Sequence, residues 1–394
     1  MTQDPVPPSP RRSAGETMAD ARSAAYLAMK DRIFLLSRPR GVDVVPEYLD
    51  PRNSGFALCG PTQEQRVGQL LGRKRLPVAT DLAPYEARIV SAHGPMVYPD
   101  TLFGLDGYLD DMLMRSTLPV AFTPSAYVEA GESADLKAIR SAAQEIRRRD
   151  VVVVVALDVT WLRDDKVDQL IAVLKGISHP IALILGGQYN PPDHYAAIMK
   201  NLRRVYEGVG RVGLWRTDPV AGLDAMSHGA LFAGIGSSTG LRHLIPPGQK
   251  AQGGGGGSSK PSIFVLDLMH YFGAQKLADR WANSQPLTCP CSVCGGRPLD
   301  RLAVIGTEVD DEARAHNAAC WVWLWSNMSA LATLPEREQW YADRIRRAHA
   351  AYESENKRIQ QPKVFKPSKT LLRLAKMAET VPAPVTEGAR TPAQ

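Results

Sequence analysis

The feature that most constrains this chain is a group of cysteines in its last third. Three of the five cysteines, Cys289, Cys291 and Cys294, fall within six residues, and His316 follows about twenty residues later. Three thiolates and one imidazole complete a tetrahedral zinc site with no open position for water, as in structural zinc sites. The sequence therefore predicts one structural Zn²⁺ held by Cys289, Cys291, Cys294 and His316. The alternative is three unpaired surface thiols beside an unrelated histidine.

Length and composition indicate a globular protein with a sizeable core. The chain has 394 residues, of which 44% are hydrophobic, enough for a barrel of about 250 residues with appendages. The longest apolar run, Val151 to Leu157, is too short to cross a bilayer. The first residues are polar and proline-rich, without the apolar segment of a signal peptide. We therefore expect a cytoplasmic protein with no membrane partner, in agreement with its clustered thiols.

Short apolar runs alternate with longer helical patterns along most of the chain. The predicted strands are Phe56–Cys59, Pro77–Thr80, Met96–Tyr98, Pro119–Thr123, Val151–Asp158, Ile181–Gly187, Val212–Asp218, Ala230–Gly236 and Ile263–Asp267. The predicted helices are Ala21–Leu36, Ala134–Arg149, Asp165–Gly176, His194–Glu207 and Pro335–Gln360. This alternation is typical of an α/β fold with parallel strands and crossover helices.

The predicted domains follow from these patterns. Residues 1–20 and 379–394 are expected to be disordered, because they are polar or proline-rich without an apolar period. A TIM-like (β/α)8 barrel is expected over 21–285, with a flexible glycine insert at 253–257, and a zinc-binding subdomain over 286–331. The helical segment 332–378 is rich in Lys and Arg. Such a run is either a solvated face or a phosphate-binding surface.

Candidate functional residues follow the predicted strands, because the active site of a parallel barrel lies where its strands end. The carboxylates in such positions are Asp158, Asp218 and Asp267, our candidates for catalysis. The candidates for binding a base or a phosphate are Gln188, Tyr189, Asn190, Arg216, Ser237, Ser238, Arg242 and His243. Each aspartate has an alternative role as the N-cap of a following helix.

The cysteine pattern followed by His316-Asn317 resembles the tRNA-guanine transglycosylase superfamily, including its branch that inserts deazaguanine bases into DNA. The resemblance spans roughly residues 120–330. It implies a zinc-bearing (β/α)8 barrel that breaks an N-glycosidic bond and exchanges the base, often as a homodimer. It also implies that Asp158 recognises the edge of the target base, and that Gly186-Gly187-Gln188 corresponds to the Gln-Gly-Gly strand end of the family's base pocket, with its glutamine displaced.

Two departures from the family bear on the chemistry. The family's Asp-Ser-Gly-Gly-Phe segment is best matched by Thr123–Tyr127, which puts Pro124 at the position of a catalytic carboxylate. The family's nucleophilic aspartate is matched by Gly234 or Gly236. We therefore expect that covalent base exchange by the family's route is lost.

Three functions remain open at this point. The first is a glycosylase that hydrolyses the N-glycosidic bond of a flipped base in DNA, expected to be a modified base, as would suit antiphage defence. The second is a transglycosylase that exchanges guanine for a 7-deazaguanine in DNA or tRNA. The third is a non-catalytic nucleic-acid-binding subunit. The net charge of +6 and the pI near 9.0 favour a polyanionic partner. DNA is the expected partner and RNA the alternative.

Overall fold

The computed structural model describes residues 23–38, 45–60, 76–100, 102–252, 262–304 and 306–382. The predicted disordered N-terminus, the glycine insert and residues 383–394 lie outside this part of the chain. The structure is a mixed α/β fold with a large, curled parallel sheet and a helical C-terminal part.

In the described part of the chain, nine strands form the large sheet, and each runs parallel to its neighbours. They are β1 (Arg32–Ser37), β2 (Ser54–Cys59), β3 (Val78–Asp81), β4 (Ala121–Phe122), β5 (Tyr127–Val128), β6 (Val151–Asp158), β7 (Ile181–Gly186), β8 (Val212–Thr217) and β9 (Phe232–Gly236). Their order is β3-β2-β1-β9-β8-β7-β6-β4, and β5 also pairs with β6. At the ends of this order, the backbone N–H groups of Thr117 and Leu118, before β4, donate to the carbonyl oxygen of Val78 on β3.

Helices cross between most of these strands, as the alternation predicts. They are α1 (Ala24–Met29), α2 (Val90–His93), α3 (Gly104–Met114), α4 (Ser133–Glu145), α5 (Val167–Lys175), α6 (Ile198–Val209) and α7 (Pro219–Ser227). Strand β6 shows why the sheet is parallel and buried: Val151 to Leu157 are apolar and mostly β-branched, and all of them are buried. Val152 and Val154 face an inner cluster with Phe34 and Trp215, whereas Val153 and Val155 face the helices.

The predicted helix Ala21–Leu36 is wrong beyond Met29. The helix ends at Met29, and Asp31 takes a positive φ of 57° before β1 begins. Strand β1 then pairs with both β2 and β9. Its run Ile33-Phe34-Leu35-Leu36 suits a helix or a strand by itself, and burial on both faces of the sheet selects the strand. The predicted strand Met96–Tyr98 is also wrong, since only Met96 makes an isolated bridge, to Ser125.

The C-terminal part begins with an antiparallel hairpin, β10 (Ser262–Val265) and β11 (His270–Gly273). Helices α8 (Ala274–Trp281), α9 (Thr307–Ser329), α10 (Leu334–Arg358) and α11 (Lys369–Ala378) follow, with the cysteine segment between α8 and α9. The prediction that Ile263–Asp267 is a strand of the barrel is therefore wrong, because β10 pairs only with β11 and packs against α9. Within the described ranges, none of the helices has the length and apolar character needed to cross a membrane.

Candidate functional site

The imidazole of His316 has the arrangement of a metal ligand. It is completely buried on α9, and its Nε2 lies 2.8 Å from the carbonyl oxygen of Phe264 on β10. Because a carbonyl can only accept, Nε2 carries the proton and Nδ1 keeps its lone pair. Nδ1 lies 3.1 Å from Cys294 Sγ and 3.5 Å from Cys291 Sγ. Metal-binding histidines commonly donate their second ring N–H to a backbone carbonyl in this way.

Asn317 holds this imidazole in place by binding the free edge of β10. Its side-chain oxygen accepts from the backbone N–H of Phe264 at 2.8 Å, and its amide donates to the carbonyl oxygen of Ser262 at 2.8 Å. The side chain thus occupies the place of a neighbouring strand. The His-Asn pair therefore attaches α9 to the hairpin and aims Nδ1 of His316 at the thiols.

Cys320, which the sequence analysis missed, is a fifth donor at the same point. It lies one helical turn after His316, with its Sγ 3.8 Å from Cys289 Sγ and 3.7 Å from His316 Nδ1. A tetrahedral ion with thiolates at about 2.3 Å separates two sulfurs by about 3.8 Å. The ligand atoms of Cys289, Cys291, His316 and Cys320 all lie within 4.8 Å of one another. The His-x-x-x-Cys spacing on a helix was the available signal, since residues four apart share a face.

The side chains of the four predicted ligands lie close together, and the thiol of Cys294 also contacts a cation. Arg301 Nη2 lies 3.2 Å from Cys294 Sγ, and Arg301 also pairs with Glu312 at 2.9 Å. The guanidinium offsets part of the negative charge that several thiolates would carry around one ion. We name Cys289, Cys291, Cys294, His316 and Cys320 the Cys/His cluster, and all five residues are buried.

A second concentration of polar groups lies at the carboxyl edge, where the parallel strands of the large sheet end. Asp81 ends β3 and is 2% exposed. Its carboxylate accepts from Tyr85 Oη at 2.6 Å, from Trp215 Nε1 at 3.0 Å and from the backbone N–H of Ala83 at 2.9 Å. Burial raises the pKa of Asp81 despite these donors. The sequence analysis missed this residue, although Val78-Ala-Thr-Asp81 is an apolar run that ends on a carboxylate.

Arg216 is buried in a network of charges at the same edge. It takes a positive φ of 54° at the end of β8 and is 3% exposed. It donates to Glu86 Oε1 at 2.5 Å and to the carbonyl oxygen of Gly240 at 2.7 Å, and Arg38 donates to the same Glu86 oxygen. Burial by itself would raise the pKa of Glu86, but Arg216 and Arg38 together lower it. Arg38 and Glu86 were also missed from the sequence.

Asp158 ends β6 with one carboxylate oxygen held and the other only weakly engaged. Oδ1 accepts from the backbone N–H and the hydroxyl of Thr160, at 2.9 and 2.6 Å. Among the described residues, Oδ2 accepts a hydrogen bond from the Tyr127 hydroxyl alone, at 3.3 Å. The N-cap role and the functional role are therefore compatible, because Oδ2 can still take a hydrogen bond from a ligand.

The two carboxylate oxygens of Asp218 also differ in their hydrogen bonds, as those of Asp158 do. Oδ1 accepts from the backbone N–H groups of Val220 and Ala221, at 2.7 and 2.9 Å, and so caps α7. No hydrogen bond reaches Oδ2 from the described residues. Burial raises the pKa of Asp218, although the two backbone donors oppose that shift.

Asp267 does not belong with these two carboxylates. It lies in the short 3₁₀ turn between β10 and β11, its side chain is 55% exposed, and it faces Arg344 at 3.7 Å. Because β10 is not part of the large sheet, Asp267 does not end one of the parallel strands. The reason for proposing it as a catalytic residue is therefore lost.

The amides predicted to bind a base are used within the protein. The Gln188 side chain donates to Gln249 Oε1 at 2.9 Å and accepts from the backbone N–H of Gln252 at 2.9 Å. The Asn190 amide donates to Thr370 Oγ1 on α11 at 3.3 Å. Tyr189, between them, is 59% exposed and has a positive φ of 57°. Of these three residues, only Tyr189 has a side chain that is largely exposed and is not hydrogen-bonded to another described residue.

The remaining predicted residues follow β9. Ser237 is half-buried and Ser238 exposed. Arg242 donates from Nε to the carbonyl oxygen of Gly236 at 3.2 Å, and its guanidinium lies 3.3 Å from the centroid of the Tyr271 ring. Burial, with the charge of Arg216, lowers the pKa of His243 to about 4, so this imidazole is neutral at pH 7.

Gly234 and Gly236, which the resemblance matches to a nucleophilic aspartate, both lie in tightly packed surroundings. A Cβ on Gly234 would lie 2.4 Å from the Trp215 ring, and a Cβ on Gly236 would lie 2.3 Å from the backbone of Leu241. Any side chain at either position would therefore force its neighbours to shift. Pro124, at the other compared position, lies between β4 and β5, where its carbonyl oxygen accepts from the backbone N–H of Val97.

No protein-family model matches this chain, and no curated protein matches it at a significant level.

Proposed function

We propose that this protein is an enzyme that hydrolyses the N-glycosidic bond of a base in DNA, with its active site at the carboxyl edge. The observation that carries the proposal is the pair Asp158 and Asp218, each held by backbone through Oδ1 and each with a less engaged Oδ2. Only β7 separates their strands, so the strand ends lie roughly 10 Å apart. Glycosidases that activate water directly place their two carboxyl groups at a comparable separation, roughly 6.5–9.5 Å.

The environments of the two carboxyl groups suggest different roles. The raised pKa of Asp218 favours its protonated form, which suits a general acid. Asp218 would give its proton to the leaving nitrogen as the C1′–N bond breaks. A water molecule would form the new C1′–O bond and lose a proton to Asp158. The products are the free base and an abasic site, and solvent returns both carboxyl groups to their starting states.

The other charged residues at the carboxyl edge would bind the nucleotide or hold the strands in place, and would not transfer protons. The ion pair between Arg216 and Glu86 holds the end of β8 in place. Arg242 lies near Asp218, and its positive charge would attract the phosphate of a flipped nucleotide. A base stacked in a duplex cannot enter such an edge, so the target must be flipped out or single-stranded.

We further propose that the sheet is a (β/α)8 barrel closed between β3 and β4, and that the Cys/His cluster binds one structural Zn²⁺. The hydrogen bonds from Thr117 and Leu118 to Val78 support the closure. The buried thiols and the Nδ1 lone pair of His316 are spaced as the ligands of a tetrahedral ion would be. Sulfur and imidazole ligands are the ones that Zn²⁺ prefers, which supports zinc. When bound, the ion would hold the hairpin, the cysteine segment and α9 together.

Base exchange is the second candidate, and one observation favours it. Asp81 is followed four residues later by Tyr85, which is the spacing between aspartate and phenylalanine in the family's Asp-Ser-Gly-Gly-Phe segment. Counting the same four residues back from Tyr127 reaches Thr123 and not Pro124, so Asp81 is a better counterpart of that carboxylate than Pro124. Against exchange, both oxygens of Asp81 are occupied, and Gly234 leaves no room for a nucleophilic aspartate.

The test is mass spectrometry of bases released from plain DNA, phage DNA with modified bases, and tRNA, each with and without free deazaguanine. We expect release without added base, leaving abasic sites, and a large loss of rate in Asp158→Asn and Asp218→Asn. Asp168→Asn is the matched control, because Asp168 is an exposed aspartate on α5 that pairs with Arg204.

Three other outcomes would replace or revise the proposal. Release only when deazaguanine is supplied would favour base exchange. Binding of nucleic acid without any release would favour the non-catalytic subunit. Unchanged release by both aspartate variants would show that the catalytic carboxylate is elsewhere.

A further inference from the structure

We propose that the segment 356–378 binds the phosphate backbone of a single nucleic-acid strand and leads it to the carboxyl edge. This proposal rests on the proposed function for the identity of the ligand, but it concerns binding and not catalysis. The segment contains no acidic residue and seven cations, and we name it the cationic segment. Its cations are Lys357, Arg358, Lys363, Lys366, Lys369, Arg373 and Lys376.

Most of this charge is not neutralised within the protein. Lys357 pairs with Glu353 at 2.8 Å, and Arg358 pairs with Glu355 at 2.6 Å. By contrast, four exposed lysines have no ion-pair partner among the residues that the structure describes. They are Lys363, Lys366, Lys369 and Lys376.

The middle of the segment is held rigidly enough to present its lysines in a defined order. The Asn356 side chain makes two hydrogen bonds with the Phe365 backbone, at 2.9 and 2.8 Å. The Phe365 ring packs on Phe272 and Trp281. Lys363 has a positive φ of 63°, a conformation that non-glycine residues seldom adopt, so the loop is shaped by its packing.

A groove of about 890 Å³ lies along this loop, between it and the C-terminal half of α10. Phe365 and Tyr352 contribute to its walls, Lys363 and Lys366 contribute cations, and Lys357 lies there with its partner Glu353. Successive lysines at 363, 366 and 369 are three residues apart, at most about 10 Å along the chain. Flexible lysine side chains at this interval can reach neighbouring phosphates of one strand.

Contacts of α11 connect the cationic segment to the carboxyl edge. The backbone N–H and the hydroxyl of Thr370 both donate to Asp193 Oδ1, at 2.6 Å. Arg373 donates to the carbonyl oxygens of Pro192 and Tyr195, both at 2.8 Å. These partners lie in the connection between β7 and α6, which begins at the carboxyl edge. Lys369, next to Thr370, therefore stands beside the proposed active site.

A membrane surface is the competing polyanion, and the packing of α11 disfavours it. A helix that lies in a membrane needs a free apolar face. In α11 the apolar residues Leu371, Leu374 and Ala375 are buried, and the helix packs against α10. The exposed side carries charge with one exposed leucine, Leu372, which suits a hydrated phosphate backbone better than lipid.

The test compares two triple variants of the full-length chain by fluorescence anisotropy with a labelled single-stranded DNA, over salt from about 50 to 200 mM. The first is K363E/K366E/K369E. The control, K137E/K175E/K200E, makes the same change of net charge at exposed lysines of α4, α5 and α6. If each lysine neutralises one phosphate, the slope of log K against log salt falls by about 2 in the first variant and stays near wild type in the control.

A third triple variant, K363Q/K366Q/K369Q, removes the lysine charges without adding carboxylates that repel the phosphates. It should give most of the same decrease in slope as K363E/K366E/K369E. Equal effects of both glutamate triples would show a response to net charge only and overturn the proposal. Unchanged DNA binding, with loss of binding to phosphatidylserine-containing vesicles, would assign the segment to membranes instead. The salt slope is measured on binding alone, whether or not a base is released, so failure of catalysis remains distinguishable from failure of the cationic segment.

Discussion

The Cys/His cluster and the carboxyl edge are built in opposite ways. In the cluster, five donors from two short segments point at one position, and their surroundings serve that geometry: Phe264 and Asn317 orient His316, while Arg301 contacts Cys294. At the carboxyl edge, polar residues come from many strands, and most of them also hold backbone, as Asp158 and Asp218 do. A residue that holds backbone in place can thus also take part in function, but the residue type alone does not show whether its role is structural, functional or both.

The largest expected effect is on the cluster. Cys291→Ser should remove the metal and much of the fold of the C-terminal part, because binding energy at a structural zinc site is also folding energy. Metal content by mass spectrometry and thermal unfolding by circular dichroism would measure both. Cys59→Ser is the control, since Cys59 is a buried cysteine outside the cluster. A metal-free protein that stays folded would contradict a structural metal site.

At the carboxyl edge, we expect a large effect on rate with little effect on folding. Asp218→Asn should lower base release by about 10²–10⁴-fold, the usual contribution of a general acid. In the wild type, release should decline as pH rises through the pKa of Asp218, because the acid loses its proton, and burial places that decline above the usual range for aspartate. The decline should be absent in Asp218→Asn. A pH–rate profile that is unchanged by the substitution would remove Asp218 from the proton transfer.

Gly234→Ala tests whether packing excludes a side chain at position 234, which the family resemblance matches to a nucleophilic aspartate. The new Cβ would lie 2.4 Å from the Trp215 ring, so Trp215 or β9 must shift. Overpacking of this kind costs typically 1–3 kcal/mol in the free energy of unfolding. Urea denaturation would measure it, with Gly240→Ala as the control, because a Cβ at Gly240 meets nothing within 4 Å. Equal stabilities would show that the interior has room for a larger side chain.

The smallest expected effect comes from removing single donors of the Cys/His cluster, which tests which of its five residues bind the metal. Cys294→Ser and Cys320→Ser should each keep about one equivalent of metal, since four donors remain for a tetrahedral ion. The double variant should lose it. The intensity of the thiolate-to-cobalt absorption in Co²⁺-substituted protein would count the sulfurs in each case. Loss of metal in Cys320→Ser alone would make Cys320 an obligatory ligand, and retention in the double variant would remove both from the set.

Much of the fold could be predicted from local patterns, and the errors have physical causes. The apolar, β-branched run of β6 was predicted with its observed bounds, because a strand buried on both faces needs no tertiary information to be recognised. The run 33–36 suits either element, and only its place between β2 and β9 selects a strand. Likewise, Ile263–Asp267 has the local pattern of a strand, but its partner is a hairpin strand and not the large sheet.

By itself, the sequence determined that the chain alternates strands and helices and that Cys289, Cys291, Cys294 and His316 form one site, because short spacing limits where those side chains can go. The tertiary structure decided what depends on distant partners. It brought Cys320 to the thiols and Asp81, Glu86 and Arg216 to one edge, and it committed Gln188 and Asn190 to the loop at 249–252 and to α11. Hydrogen bonds and packing between residues far apart in the chain leave no local pattern, so only the folded structure shows which polar side chains are already satisfied.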